Sequence, residues 1–220
     1  MFLKPPCIEL ELIRNDFDKD SLKYAGIDQV GKGEVLGSLI VVCASTSLKL
    51  PVIKDSKSFS GKDLNLVEKL IESRELSYSY VKITPDLLDK YNVNDLILLA
   101  QKSLLKNFSG LKASVDCHLK CSQKHLEILK ESNSKIDYEV AHKLDEKNSL
   151  VAAASLIGRK LRTLELEELC KKVGQKVGSG NVMDPLTKSY LLKGFKEGVR
   201  LSWSLKSLGL PNRYFSKLRI

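Results

Sequence analysis

Residues 36–45, LGSLIVVCAS, narrow the possible folds more than any other segment. The run is almost continuous in apolar side chains, several of them β-branched. A strand reads this way when both of its faces are covered. Covering both faces takes a layer on each side, so the segment predicts a sheet between helices. The same run is too short for a membrane span, and Gly37 and Ser38 interrupt it. No transmembrane helix is expected. The first residues lack a secretory pattern, so a cytoplasmic location is expected.

The flanking segments extend the layered reading. Residues 7–14 alternate apolar and polar, as an edge strand does, and residues 23–29 form a hairpin with 36–45 around Gly31-Lys32-Gly33. Leu64, Val67, Leu70 and Ile71 make one stripe of a helix over 61–73. Residues 77–83 alternate again, and Thr84-Pro85 opens a helix with Thr84 as its cap. A second helix is expected over 93–107, short strands over 112–117 and 135–141, and a long helix over 148–173. The small residues Ala152, Ala153, Ala154 and Ser155 early in that helix would let a backbone approach closely. A last helix starts at Asp184-Pro185 and runs to about Gly198. The expected class is α/β, a mixed sheet flanked by helices, with a helical C-terminal part. The Gly-Ser-Gly at 178–180 marks the nearest thing to a boundary, giving a unit of 1–177 and a basic segment of 178–220 within one compact body.

Lys and Arg outnumber Asp and Glu by 36 to 27, a net charge of +9 that favours a polyanionic partner such as nucleic acid. Between Thr187 and Ile220 stand eight basic residues and one acidic residue, Glu197, a pattern suited to tracking a phosphate backbone. The five cysteines are odd in number and no export pattern accompanies them, so a reducing compartment is expected.

Three carboxylates stand out. Asp28 and Asp116 close predicted strands, and Asp145 precedes the long helix. Each alone reads as a turn cap or a helix-start anion. Together they suit hard divalent ions, which take carboxylate oxygens from separate segments and can drive phosphodiester cleavage as a pair. A second constellation, Cys117, His118, Cys121 and His125, holds the residue types of a zinc site. Its spacing is non-standard, and adjacent Cys117 and His118 in a strand would face opposite ways, which argues against zinc. The plainer reading is a buried cysteine at a strand end and surface histidines.

Five segments, in order, resemble type 2 ribonucleases H (ribonuclease HII). YAGIDQVGKGEVLGSLIVVCA (24–44) is similar to the family's opening motif and IKDSKSFSGKD (53–63) to its D-S-K block. HKLDEKNSLVAAASLIGRK (142–160) resembles the A-A-A-S block, GSGNVMDPLTKSYL (178–191) the G-S-G…D-P block, and RLSW (200–203) the R-R-S-W element. The last two lie closer to the archaeal and eukaryotic branch. The resemblance implies an RNase H-like fold and an endonuclease for RNA/DNA hybrids or ribonucleotides embedded in duplex DNA. It implies two Mg²⁺ or Mn²⁺ ions on an Asp, Glu, Asp, Asp quartet, here Asp28, Gln29, Asp116 and Asp145. It implies substrate contacts at Gly31, Lys32, Gly33, Lys57, Ser155, Arg159 and Asn181. A monomer is expected, with accessory subunits or a sliding clamp as further partners; RYFSKL (213–218) faintly resembles a clamp-binding tail.

Two departures bear on activity. Gln29 replaces the family's Glu, which removes one negative charge and leaves an amide oxygen as a weak auxiliary ligand. The expected loss is about 10²-fold in rate, the size of one key electrostatic contact. Glu34 and Glu146 stand near enough in sequence to supply the missing charge. Asn181 replaces a stacking tyrosine. The alternative to an active nuclease is therefore a homologue that binds hybrids and cuts them poorly or not at all. Ser38, where Pro is usual, and Arg159, where Lys is common, are smaller departures.

Overall fold

The computed structural model describes residues 11–14, 22–53, 61–194 and 196–203. Among them six strands form one mixed sheet in the order β1-β4-β3-β2-β5-β6. The strands are β1 (Glu11–Arg14), β2 (Tyr24–Val30), β3 (Leu39–Thr46), β4 (Ser77–Ile83), β5 (Lys112–Asp116) and β6 (Asp137–Ala141). β1 to β4, β4 to β3 and β3 to β2 pair antiparallel, whereas β2 to β5 and β5 to β6 pair parallel. The expected edge strand and hairpin are both present. β3 has every residue buried, because helices cover the sheet on both sides.

Strand alternation sorts the core into two layers. Ile27, Leu39, Val41, Cys43 and Val81 face α2 (Pro85–Lys90), α3 (Val93–Leu105) and α4 (Ser122–Ser132). Ile40, Val42 and Ala44 face α1 (Gly61–Glu72) and α5 (Ser149–Val173). The small-residue run of α5 does what its composition suggested. Ala152, Ala153 and Ala154 are fully buried, and a Cβ on Gly26 of β2 would collide with the Leu150–Val151 backbone. Only glycine on the strand and small residues on the helix allow that approach. A third cluster joins Val35 and Leu36, at the hairpin tip, to Leu166 of α5, Val177, Val199, and Tyr190 and Leu191 of α6 (Pro185–Leu192).

Several elements differ from the expectations. Thr84 takes the cap position of α2 with extended backbone, but its hydroxyl makes no capping bond; Pro85 starts the helix by its fixed φ. The helix α4 escaped the pattern because it buries only His125 and Leu129. His125 is therefore buried, against the expectation of a surface residue, and its Nε2 lies 2.8 Å from Gln101 Oε1. The last helix ends at Leu192, six residues early, where Gly194 at φ 79° turns the chain. Asp145 precedes α5, as expected. It sits in a separate 3-10 turn, Leu144–Glu146, and Asn148 caps α5 by accepting from Leu150 N and Val151 N.

Candidate active site

β2 and β5 run parallel with Ile27 opposite Val115. The next residue on each strand is Asp28 and Asp116, and alternation puts both on the face of Gly26 and Ser114, under α5. Asp28 is only 6% exposed. Burial pushes its carboxyl up to about 7, a hydrogen bond with Ser155 of α5 pulls it down, and the charges of Asp116 and Asp145 push it up again. Asp116 accepts from the backbone N–H of Leu144 at 2.9 Å through Oδ1. That bond pins the 3-10 turn beside the strand end, one residue from Asp145. The turn itself is entered through Lys143 in the left-handed conformation, φ 57°.

A cleft of about 700 Å³ collects these groups. Asp28, Gln29, Asp116, Asp145, Ser155, Arg159 and Gly31 all border it, as do Gly178 and Ser179. Among the described residues, however, no three His, Cys, Asp or Glu side chains converge closely enough to hold an ion as they stand. Gln29 is not poised as the ligand expected of it. Its Nε2 donates to Asp116 Oδ2 at 3.2 Å and faces Asp28 Oδ1 at 3.4 Å, so the nitrogen, rather than the oxygen expected of a ligand, is turned to the carboxylates.

The other expected contacts fall in varied places. Gly31, at φ 86°, packs against Arg162, where a Cβ would lie 2.8 Å from Nη1. Lys32 folds inward, and its ammonium donates to His118 O at 2.9 Å. Gly33 is exposed at the turn. Asn181 is exposed too, and its side chain accepts from Met183 N, so it braces its own turn. Glu34 borders the cleft, but its carboxylate pairs with Arg162 at 3.2 Å and its charge is already compensated. Glu146 is exposed on the turn. Lys57 and residues 213–218 lie outside the described residues. In the cysteine–histidine constellation, Cys117 Sγ donates to Leu119 O, Cys121 is exposed, and the His118 and His125 rings meet edge to face at 4.7 Å.

The cleft owes its wall to residues the motifs did not single out. Arg162 is 5% exposed and donates to Ser38 O at 2.6 Å, to Leu36 O and to Ser179 O. It thereby ties α5, the β2–β3 hairpin and the Gly-Ser-Gly turn into one frame. The helical spacing Ser155, Arg159, Arg162, Leu166 repeats one face of α5, and that periodicity was a signal in the sequence. Ser38 gains a role from not being proline: its N–H and hydroxyl both donate to Glu165 of α5, at 3.1 and 2.6 Å.

An antiparallel meander continued by parallel strands, with acidic side chains at the ends of neighbouring strands, defines an RNase H-like α/β protein. Residues 25–206 match the family model of ribonuclease HII, and the chain belongs to that family. The ribonuclease HII of Thermoplasma volcanium is 29% identical over 184 residues, covering 80% of this chain and 84% of that one. Among solved structures, the RNase HII of Archaeoglobus fulgidus in a PCNA:RNase HII complex superimposes with a TM-score of 0.73 at 30% identity, over 84% of this chain and 96% of that one. The ribonuclease H2 of Pyrococcus horikoshii does so with a TM-score of 0.72 at 28% identity, over 84% and 96%. These relatives are archaeal, the branch to which the C-terminal motifs pointed.

Proposed function

We propose that this protein is an endonuclease that cuts the RNA strand of RNA/DNA hybrids, or cuts at ribonucleotides embedded in duplex DNA, with divalent cations held by Asp28, Asp116 and Asp145. One observation carries the reading: two carboxylates from parallel neighbouring strands share a single donor inside a cleft that a third carboxylate borders. The donor set suits a hard cation such as Mg²⁺ or Mn²⁺, since every candidate ligand is an oxygen. The proton affinity of Asp28 is raised chiefly by burial, with the charges of Asp116 and Asp145 adding to it. When bound, divalent ions supply Lewis-acid stabilisation of the scissile phosphate and acidify an attacking water.

The chain's own residues supply the rest. Asp28 and Asp116 fix the end of the cleft, and Ser155 orients the Asp28 carboxylate. The Gly31–Gly33 turn can bring backbone N–H and C=O groups against the ribose, whose 2′-hydroxyl distinguishes RNA from DNA. Arg159 offers a guanidinium to a phosphate. The basic segment 178–220 adds positive charge that favours a polyanionic duplex. The likeness to the Archaeoglobus fulgidus RNase HII solved in a PCNA:RNase HII complex supports a sliding clamp as a partner.

The test is a cleavage assay on duplex DNA carrying one ribonucleotide, with Mg²⁺ and then Mn²⁺. A product with a 5′-phosphate is expected, and Asp28→Asn and Asp145→Asn should each lower the rate by about 10²-fold or more. Unchanged cleavage in both variants means the chemistry lies elsewhere. A second reading, binding without efficient cleavage, draws on the amide at position 29. It predicts a retarded hybrid that stays intact, and cleavage that appears in Gln29→Glu.

A further inference from the structure

The Gln29 amide is aimed in a way its position in the family does not require. Carboxylate oxygens only accept hydrogen bonds, so an amide that meets two of them must present its NH₂ group. It does so to Asp116 Oδ2 at 3.2 Å and Asp28 Oδ1 at 3.4 Å. The cost falls on the other end: Gln29 Oε1 is buried and finds no hydrogen-bond partner among the described residues. Orphaning an amide oxygen costs about 1–3 kcal/mol. Reversing the amide would put its NH₂ at the partnerless end and turn a partial negative charge onto the two carboxyl groups. The two acceptors it faces, Asp116 Oδ2 and Asp28 Oδ1, hold the amide in this orientation.

We propose that Gln29 is a positioning residue that latches Asp28 and Asp116 together through its Nε2, occupying the place between them that a divalent cation needs. Cation binding then displaces the amide, and the side chain opposes the ion instead of ligating it. This rests on the reading of the carboxylates as the cation site, and the experiment separates the two. An amide-oxygen ligand and an amide latch predict opposite signs when the amide is removed.

The measurement is Mn²⁺ binding to the full chain without substrate, by calorimetry and by the electron paramagnetic resonance signal of free Mn²⁺. Gln29→Met keeps the length of the side chain and removes both ends of the amide; Gln29→Ala is the second variant should the first pack poorly. Either should bind Mn²⁺ more tightly than the wild type, by roughly tenfold, the size of one hydrogen bond to a charged group. Gln29→Glu should bind more tightly still. In EDTA, Gln29→Met should melt below the wild type, because the carboxylates lose their shared donor. Weaker Mn²⁺ binding in Gln29→Met and Gln29→Ala, with Asp28→Asn abolishing it, overturns the latch and leaves the cation site standing. Absence of binding in every chain, Gln29→Glu included, overturns the cation site and the latch with it.

Discussion

Asp28 shows how one buried carboxyl links stability to chemistry. Its proton affinity is raised to about 7 by burial first, with Asp116 and Asp145 adding to it against the Ser155 hydrogen bond. A carboxyl bound more tightly to its proton in the folded state than in the unfolded state favours folding below about pH 4, and that contribution is lost as pH rises through 7. Metal-free protein should therefore lose stability across that window. Asp28→Asn has nothing to titrate, so its melting temperature relative to wild type should climb between pH 4 and 7 and level off above. Thermal melts in EDTA across pH check this, and a flat difference would mean that Asp28 is solvated. Under the proposed function the same substitution should also lower the cleavage rate, so stability and activity would move in opposite directions.

At the scale of elements, the site depends on how closely α5 lies on β2. Gly26 is the contact point. Gly26→Val would drive a side chain into the Leu150–Val151 backbone and should cost about 1–3 kcal/mol, read as a lower denaturation midpoint. Arg162 is the second joint. It is buried, pairs with Glu34 and holds three backbone carbonyls from the hairpin and the Gly-Ser-Gly turn. Arg162→Met strands those carbonyls and Glu34, so a loss of roughly 3 kcal/mol is expected, as for breaking a buried pair. Substrate affinity should fall with it, since the hairpin and turn would no longer share a frame. Arg159, one turn earlier on α5, borders the cleft, and Arg159→Ala tests its proposed phosphate contact. The substitution should raise KM with little change in kcat.

The whole molecule joins a sheet covered on both sides to a small C-terminal cluster, and the cleft lies where they meet. A net charge of +9 surrounds an acidic centre. Binding to a hybrid duplex should weaken steeply with salt. Five phosphate contacts would give a log–log slope near −4 to −5. Fluorescence anisotropy from 50 to 250 mM KCl measures it, and a slope near zero would remove phosphate tracking from the account. Among the described residues no helix is long and apolar enough to cross a membrane.

Much of this architecture was legible in the linear order of residues. The apolar run of β3 demanded a covered strand, the alternation of β4 and the stripe of α1 followed from periods of two and 3.6, and the small residues of α5 announced a close approach. Asp28, Asp116 and Asp145 could be named because strand ends and turns leave local signatures. What the sequence could not give were distances between side chains far apart in the chain. Nothing local reveals that Gln29 turns its nitrogen toward Asp116, 87 residues away, or that Arg162 closes the frame around Ser38, 124 residues away. Nor does composition tell that Lys32 folds back on His118 or that Glu34 is already paired. Periodicity is fixed by the covalent geometry of a single segment. The orientation of an amide between two carboxylates is fixed by the fields of groups that only folding brings together.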